Sequence, residues 1–386
     1  MSLKVFILAG EPSGDRLGGA LMAGLKTLRP DVSFEGIGGT LMAEQGLHSR
    51  FAMAELSVMG LAEVLPKYRH LKRRIRETAE AVIAQNPDVL ITIDSPDFSL
   101  RVASLVKAGS DIRTVHYVAP SVWAWRPKRA VKMARSIDQV LALLPFEPPL
   151  MQAAGMDCDF VGHPVVAEPL ATDPEIAEFR AKFDLGEVPL VLALPGSRRS
   201  EVSRLGPVFG EALQAFAHLH PGYRAVVPCA APVADLVRAQ AEDWPKNTLF
   251  LDPNSHDAQA YAAIKRAAFA TSDLALAASG TVSLELAANA TPMVIAYRFQ
   301  WLTWQVMKRM ALVDTVTLVN LVSETRVVPE CLGPECTAEN IARQLDALAQ
   351  APELQKAAMA VTMQRLGQGG EEPGLRAARA VLQRLP

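Results

Sequence analysis

The stretch AASGTVSLE, residues 277–285, decides how the chain is read. Before it, the DLAL of residues 273–276 has the pattern of a short buried strand. After it, Leu286, Ala287 and Ala288 continue a helix that Pro292 ends, and MVIAY at 293–297 is the next strand. Ser279, Gly280 and Thr281 are thereby placed at a strand-to-helix turn. Small residues there admit a ligand to the backbone, and the first N–H groups of a helix have no internal partner. Those donors, with the positive end of the helix dipole, favour phosphate. Glu285 lies about one turn further in. Its charge bars it from phosphate but suits it to ribose hydroxyls, so the segment fits a nucleoside diphosphate. A tight turn capped by Ser279 would carry the same sequence.

Working back through this half, LPGSRRSE at 194–201 repeats the arrangement after a strand at 190–194. Ser197 and Arg198 offer backbone donors and a cation, which suit a diphosphate. A helix near 201–219, a strand at 224–228, a helix at 233–243, a strand at 248–251 and a helix at 258–268 alternate on towards the opening stretch. Residues 316–321, VTLVNL, read as an apolar strand whose one amide, Asn320, would need a partner and could be a sugar or phosphate contact.

The first half shows its own alternation. KVFILA at 4–9 is a continuous apolar run, as in a strand buried on both faces. It ends in GEPSGD at 10–15 and a helix. This is neither GxGxxG nor GxxxxGK[ST], so neither dinucleotide nor P-loop chemistry follows. Polar groups at the carboxyl end of a parallel strand still face the usual ligand crevice, which makes Glu11, Ser13, Gly14 and Asp15 candidate contacts. Ser13 and Asp15 would equally serve as helix caps. A second strand, DVLITI at 88–93, runs into Asp94 and Asp97, with Pro96 expected to break any helix and fix a turn. Either carboxylate is placed to take a proton from a hydroxyl; an Asx turn at Asp94 and a helix cap at Asp97 are the alternatives. HYVAPSVWAWR at 116–126 then brings two of the five tryptophans beside an arginine.

Residues 56–76 differ in kind. Val58, Met59, Leu61, Val64 and Leu65 form an apolar stripe, and Lys67, Arg69, Lys72, Arg73, Arg74 and Arg76 a basic run without an acid. That pairing suits a helix lying in an anionic membrane interface. A core-packed helix with solvated arginines is the other reading.

With 386 residues the chain exceeds one usual core, so two domains are expected. They are placed at 1–165 and 186–350, joined by a Pro-, Ala- and Glu-rich segment, with a helical tail at 351–386. A net charge of −2 gives no global pull towards nucleic acid. Four cysteines without metal-type spacing argue for a reducing, cytoplasmic compartment. No apolar run reaches the roughly 18 residues a membrane-spanning helix needs, and the N-terminus runs straight into a strand, without a signal peptide.

Taken together, AGEPSGD (9–15), IDSPDF (93–98), HYVAPSVWAWR (116–126), LPFE (144–147), LPGSR (194–198) and SGTVSLE (279–285) resemble the lipid-A-disaccharide synthase family, in the family's order and across nearly the whole chain. The resemblance implies a GT-B glycosyltransferase: two Rossmann-like, doubly wound α/β domains facing a cleft, the acceptor held mainly by the first and the nucleotide sugar by the second. It implies the donor UDP-2,3-diacylglucosamine, the acceptor 2,3-diacylglucosamine 1-phosphate, a β-1,6-linked product formed with inversion, and no metal or other cofactor. Asp97 is the first choice of base, with Asp94 or Glu11 next. Ser197, Arg198 and the Ser279–Gly280–Thr281 turn would steady the departing UDP, Glu285 the ribose, and Asn320 the donor site. Two acylated substrates favour membrane contact through residues 56–76, hence a peripheral location on the inner face of the inner membrane. The long helical tail makes a homodimer plausible. A nucleotide-sugar epimerase of the same shape would use the same turns but leave the tryptophan loop and apolar lip idle. A non-catalytic membrane-peripheral protein would leave the phosphate turns and the carboxylate pair unexplained.

Overall fold

A computed structural model describes residues 2–56 and 61–385; for residues 61–67 and 301–303 it describes the backbone alone. The chain forms two compact units. Residues Met1–Ala167 and Leu366–Pro386 make the first, and Glu168–Arg365 the second.

The first unit runs β1 (Lys4–Ala9), α1 (Pro12–Leu28), β2 (Ser33–Ile37), α2 (Thr40–Glu44), α3 (Leu61–Gln85), β3 (Val89–Ile93) and α4 (Pro96–Gly109). It continues with β4 (Arg113–Tyr117), α5 (Lys128–Met133), β5 (Gln139–Ala142), α6 (Pro148–Ala153) and β6 (Asp157–Phe160). The strands pair in parallel in the order β2-β1-β3-β4-β5-β6. β3 is buried at every residue, because helices cover both faces of such a sheet. Phe6, Leu8, Leu90 and Val140 pack into one face's core, and Val5, Ile7, Ile91 and Leu141 into the other.

The second unit holds α7 (Asp173–Lys182), β7 (Leu190–Leu194), α8 (Arg199–Leu219), β8 (Arg224–Pro228), α9 (Ala234–Ala239), β9 (Leu249–Leu251) and α10 (Ala258–Thr271). Then come β10 (Leu274–Ala278), α11 (Val282–Ala288), β11 (Met293–Tyr297), α12 (Trp301–Met310), α13 (Leu318–Ser323), β12 (Glu330–Leu332), α14 (Ala338–Gln350) and α15 (Glu353–Arg365). Its parallel sheet has the order β12-β11-β10-β7-β8-β9. Phe209, Phe216, Ile341 and Leu345 from α8 and α14 fill one side of it.

Several expectations change here. The stretch at 316–321 is not a strand: α13 spans Leu318–Ser323, too short a period of apolar residues to tell the two apart. Pro96 does not exclude a helix but opens α4 at its first position, where its missing N–H costs nothing. The segment joining the halves is partly ordered, with Thr172 closing a capping box on α7. The tail is not a separate unit. α15 stays with the second, where the Gln355 side chain accepts from Met293 N and returns a bond to Met293 O at 3.1 Å. The last helix, α16 (Pro373–Leu382), belongs to the first. A Cβ on Gly24 of α1 would lie 2.6 Å from Gly374 O, so glycine lets these two helices touch backbone to backbone.

α3 presents Ile75, Ala79 and Val82 inward. Arg74 is drawn out of the basic run: it bonds Glu55 (Nη2–Oε2 2.9 Å) and lies 4.4 Å above the Phe51 ring. Arg69, Lys72 and Arg73 are exposed. Val58 and Met59 lie outside the described residues, as do the side chains of Leu61, Val64 and Leu65. Among the described residues no helix is long and apolar enough to cross a membrane.

Candidate functional site

In each sheet the strand order reverses once, and parallel α/β sheets bind ligands outside the carboxyl ends at that point. In the first unit the reversal falls between β1 and β3, paired with Ala9 opposite Ile93. The loops carrying Glu11 and Asp94 therefore leave the sheet side by side. They are in close approach: a Cβ on Gly10 would sit 2.5 Å from Ser95 Oγ.

The backbone here is strained. Asp94 and Ser95 have φ of +49° and +45°, and Val118, leaving the next strand, +84°. β-branched residues are rarely found there, and each such residue costs on the order of 1–3 kcal/mol. The surroundings hold the conformation: Asp94 N donates to Tyr117 O (3.0 Å), Ser99 Oγ to Asp94 O (2.7 Å) and Val118 N to Leu141 O (3.0 Å). Strain concentrated at adjacent strand ends is a mark of a working site. No sequence signal points to Val118.

Asp97 is exposed in the first turn of α4. Neither Asp97 nor Asp94 caps or closes a turn with its carboxylate; Ser95 is the residue at the cap position. Ser13 is exposed in the first turn of α1. Gly14 is buried, and its Cβ would lie 3.2 Å from Ala9 Cβ, so its smallness seats α1 on the sheet. Asp15 is likewise structural: its carboxylate accepts from Gly39, Leu41 and Met42 N (2.8, 3.0 and 3.1 Å) at the start of α2.

The tryptophan loop is anchored from below. Trp123 Nε1 donates to the buried Glu147 (3.2 Å), whose other oxygen accepts from Leu144 N (3.0 Å). Trp123 also meets Phe146 edge to face, 5.4 Å between centroids. Burial raises the Glu147 carboxyl to about 7, against the backbone and indole bonds that favour its charge. LPFE gave no chemical role for Glu147 in the sequence. A glutamate one turn after a buried strand, amid apolar residues, was its only sign. The Arg126 guanidinium covers the Trp125 ring at 4.2 Å, a cation–π contact.

In the second unit the reversal falls between β7 and β10, with Leu194 opposite Ala277. The two phosphate-type turns, far apart in sequence, thereby become neighbours. Ser197 and Arg198 are exposed. Their N–H groups converge on Glu201 Oε2 (3.2 and 3.3 Å), and Arg198 Nη1 reaches Glu201 Oε1 (3.1 Å). Gly196, at φ +113°, leaves room for that carboxylate: a Cβ there would stand 2.6 Å from Glu201 Oε2. A negative oxygen is thus already held by this nest of donors. Gly280 and Thr281 are exposed and Ser279 half-buried, while Ser283 Oγ ties back to Gly280 O (3.0 Å). Glu285, half-buried on α11, pairs with Lys265 Nζ (3.0 Å).

Asn320 is fully buried on α13 and bonds Thr315 Oγ1 (3.2 Å), Val328 O (2.9 Å) and Val328 N (3.0 Å). Its amide holds the loop before β12. Asn320→Ala is expected to lower stability by about 2 kcal/mol by orphaning those groups, with KM for the donor little changed; urea unfolding beside steady-state kinetics checks both.

Comparison with known proteins gives the chain's family and its fold. The family model LpxB, lipid-A-disaccharide synthetase, matches residues 5–383. The chain is 68% identical over 384 residues to the lipid-A-disaccharide synthase of Ruegeria pomeroyi, covering 100% of this chain and 96% of that protein. It is 44% identical to that of Rhodospirillum centenum, covering 98% and 94%. Among solved structures, a UDP-N-acetylglucosamine 2-epimerase from Listeria monocytogenes superimposes with a TM-score of 0.63 at 14% identity, covering 99% of this chain and 95% of the other. The Neisseria meningitidis UDP-GlcNAc 2-epimerase gives 0.59 at 12%, covering 99% and 98%. At such identities these two speak for the fold alone, the two-domain GT-B architecture. The long matches to named synthases decide the family: this chain belongs to the lipid-A-disaccharide synthases.

Proposed function

We propose that the strained exit of β3 carries the base of this glycosyltransferase, and that the β7/β10 turns hold its nucleotide. The chain is an enzyme of lipid A biosynthesis. Its reaction joins UDP-2,3-diacylglucosamine to 2,3-diacylglucosamine 1-phosphate and releases UDP. Asp97 takes the proton from the acceptor 6-hydroxyl. That oxygen attacks the anomeric carbon from the face opposite UDP, the bond from that carbon to the UDP oxygen breaks, and the β-1,6 linkage forms with inversion. The single observation behind this is the exposed Asp97 carboxylate, without a structural hydrogen bond, at the sheet's reversal point.

The diphosphate leaves as an anion. Arg198 and the N–H groups of Ser197 and Arg198 are already arranged around negative oxygen, and phosphate displaces the Glu201 carboxylate from them. Ser279, Gly280 and Thr281 present further donors, and Glu285, steadied by Lys265, accepts from the ribose. A structural neighbour solved with UDP, Staphylococcus aureus MnaA (TM-score 0.62, 11% identity), supports a uridine nucleotide as the ligand. Exposed Arg69, Lys72 and Arg73 suit contact with anionic lipid at the inner face of the inner membrane.

The test is UDP release from the diacylated donor with and without the acceptor. Acceptor-dependent release, with one disaccharide formed per UDP, is expected. Release without acceptor, or epimerised nucleotide sugar as product, would overturn the reading.

A further inference from the structure

The second unit carries an apolar surface that neither its core nor the nucleotide turns employ. Val306 and Met310 lie one turn apart on α12, and Leu312 follows its end; they are 53%, 36% and 60% exposed. Between them stand Lys308 and Arg309, both exposed. Residues 301–313, WLTWQVMKRMALV, contain no carboxylate. The first one after them, Asp314, is bound by Arg326 (Nε–Oδ2 3.0 Å).

Trp304 fastens the first turn of this helix. Trp304 stacks on Phe299, 5.5 Å between centroids, and fills the space above Gly333, where a Cβ would lie 2.7 Å from the indole. With that turn held, Val306, Met310 and Leu312 stay turned to solvent.

We infer that the end of α12 is a membrane-docking surface for anionic lipid, separate from the basic run of α3. Large apolar side chains flanked by cations, with no acid among them, suit the headgroup boundary of a bilayer: the apolar groups enter the acyl layer and the cations meet the lipid charge. Charge argues against a second copy as the occupant. A two-fold contact through this face would set Lys308 and Arg309 of one copy against the same residues of the other. The topology gives the surface a use. β11 runs parallel to β10 with Ala296 opposite Ala278, so α12 follows from the sheet end that bears the Ser279 turn. A donor anchored by its acyl chains would be met there. Docking itself does not depend on the catalytic reading.

Vesicles of equal parts phosphatidylglycerol and phosphatidylcholine, sedimented with the purified full chain and no substrate, test this. α3 is left unchanged throughout. Val306→Ser with Leu312→Ser, and separately Lys308→Glu with Arg309→Glu, are expected to reduce the bound fraction. The charge pair loses about fivefold in partition per lost cation, and added salt removes that difference. Solution mass stays the same in all variants. Partition unchanged in both double variants would overturn the inference. So would an apolar variant that lowers the solution mass while binding vesicles as before, because the face would then belong to a second copy.

Discussion

Asp97→Asn is expected to lower kcat by about 10²–10⁴-fold, the usual worth of a positioned general base, with little change in KM for either substrate. The variant keeps the side chain's shape and removes only its proton affinity. Folding should not suffer, since the carboxylate is exposed and supplies no cap to α4. Loss confined to kcat means an interaction made only in the transition state. Asp94→Asn is the control that separates the neighbours. Asp94 sits in a left-handed backbone position that asparagine also tolerates, so its geometry survives the change. A rate retained in Asp97→Asn and lost in Asp94→Asn would move the base by three residues. Loss in neither would point to Glu11 across the reversal point.

The strands that position the candidate site were legible in the sequence because parallel sheets announce themselves. Runs such as KVFILA and DVLITI are mostly apolar without alternation, and each leads into small or charged residues where a ligand is met. What the sequence lacked was adjacency. The turns at Ser197 and Ser279 share a chemistry in the sequence; pairing of β7 with β10 adds that the strands leading into them are neighbours. At Asn320 the limit is physical: a buried amide needs partners, and sequence does not say which protein groups supply them. Here Thr315 and Val328 do. Gly14 and Asp15 share that ambiguity, since close packing and helix capping draw on the same residue types as ligand binding. The strain at Ser95 and Val118 had no signature, because those conformations are imposed by neighbouring strands against local preference. The tail divided between the two units because its helices each bury a face on different partners, which composition alone does not reveal.

The first unit contains two buried titratable groups whose effects on stability oppose each other, and single substitutions should expose each. His116 is 2% exposed and bonded to Thr92 Oγ1 (2.7 Å); burial lowers it from 6.5 to about 4. Folded, it stays neutral while the unfolded chain takes up a proton below 6.5. Stability is therefore lost as pH falls from 6.5 to 4, by roughly 3 kcal/mol. Glu147 is 4% exposed, and burial raises it from 4.5 to about 7. The unfolded chain loses its proton first, so stability is lost as pH rises from 4.5 to 7, by a similar amount. Between 4.5 and 6.5 the two slopes cancel. Urea unfolding across pH 4–8 should show this as a difference from wild type, which removes the surface carboxylates common to all variants. Glu147→Gln keeps an acceptor for Trp123 and should gain on the wild type by roughly 3 kcal/mol as pH rises from 4.5 to 7. His116→Gln should gain as pH falls from 6.5 to 4. His163, half-buried, adds a smaller change of the His116 sign, since water screens it. A pH-independent difference for Glu147→Gln would mean that the carboxyl is not held neutral.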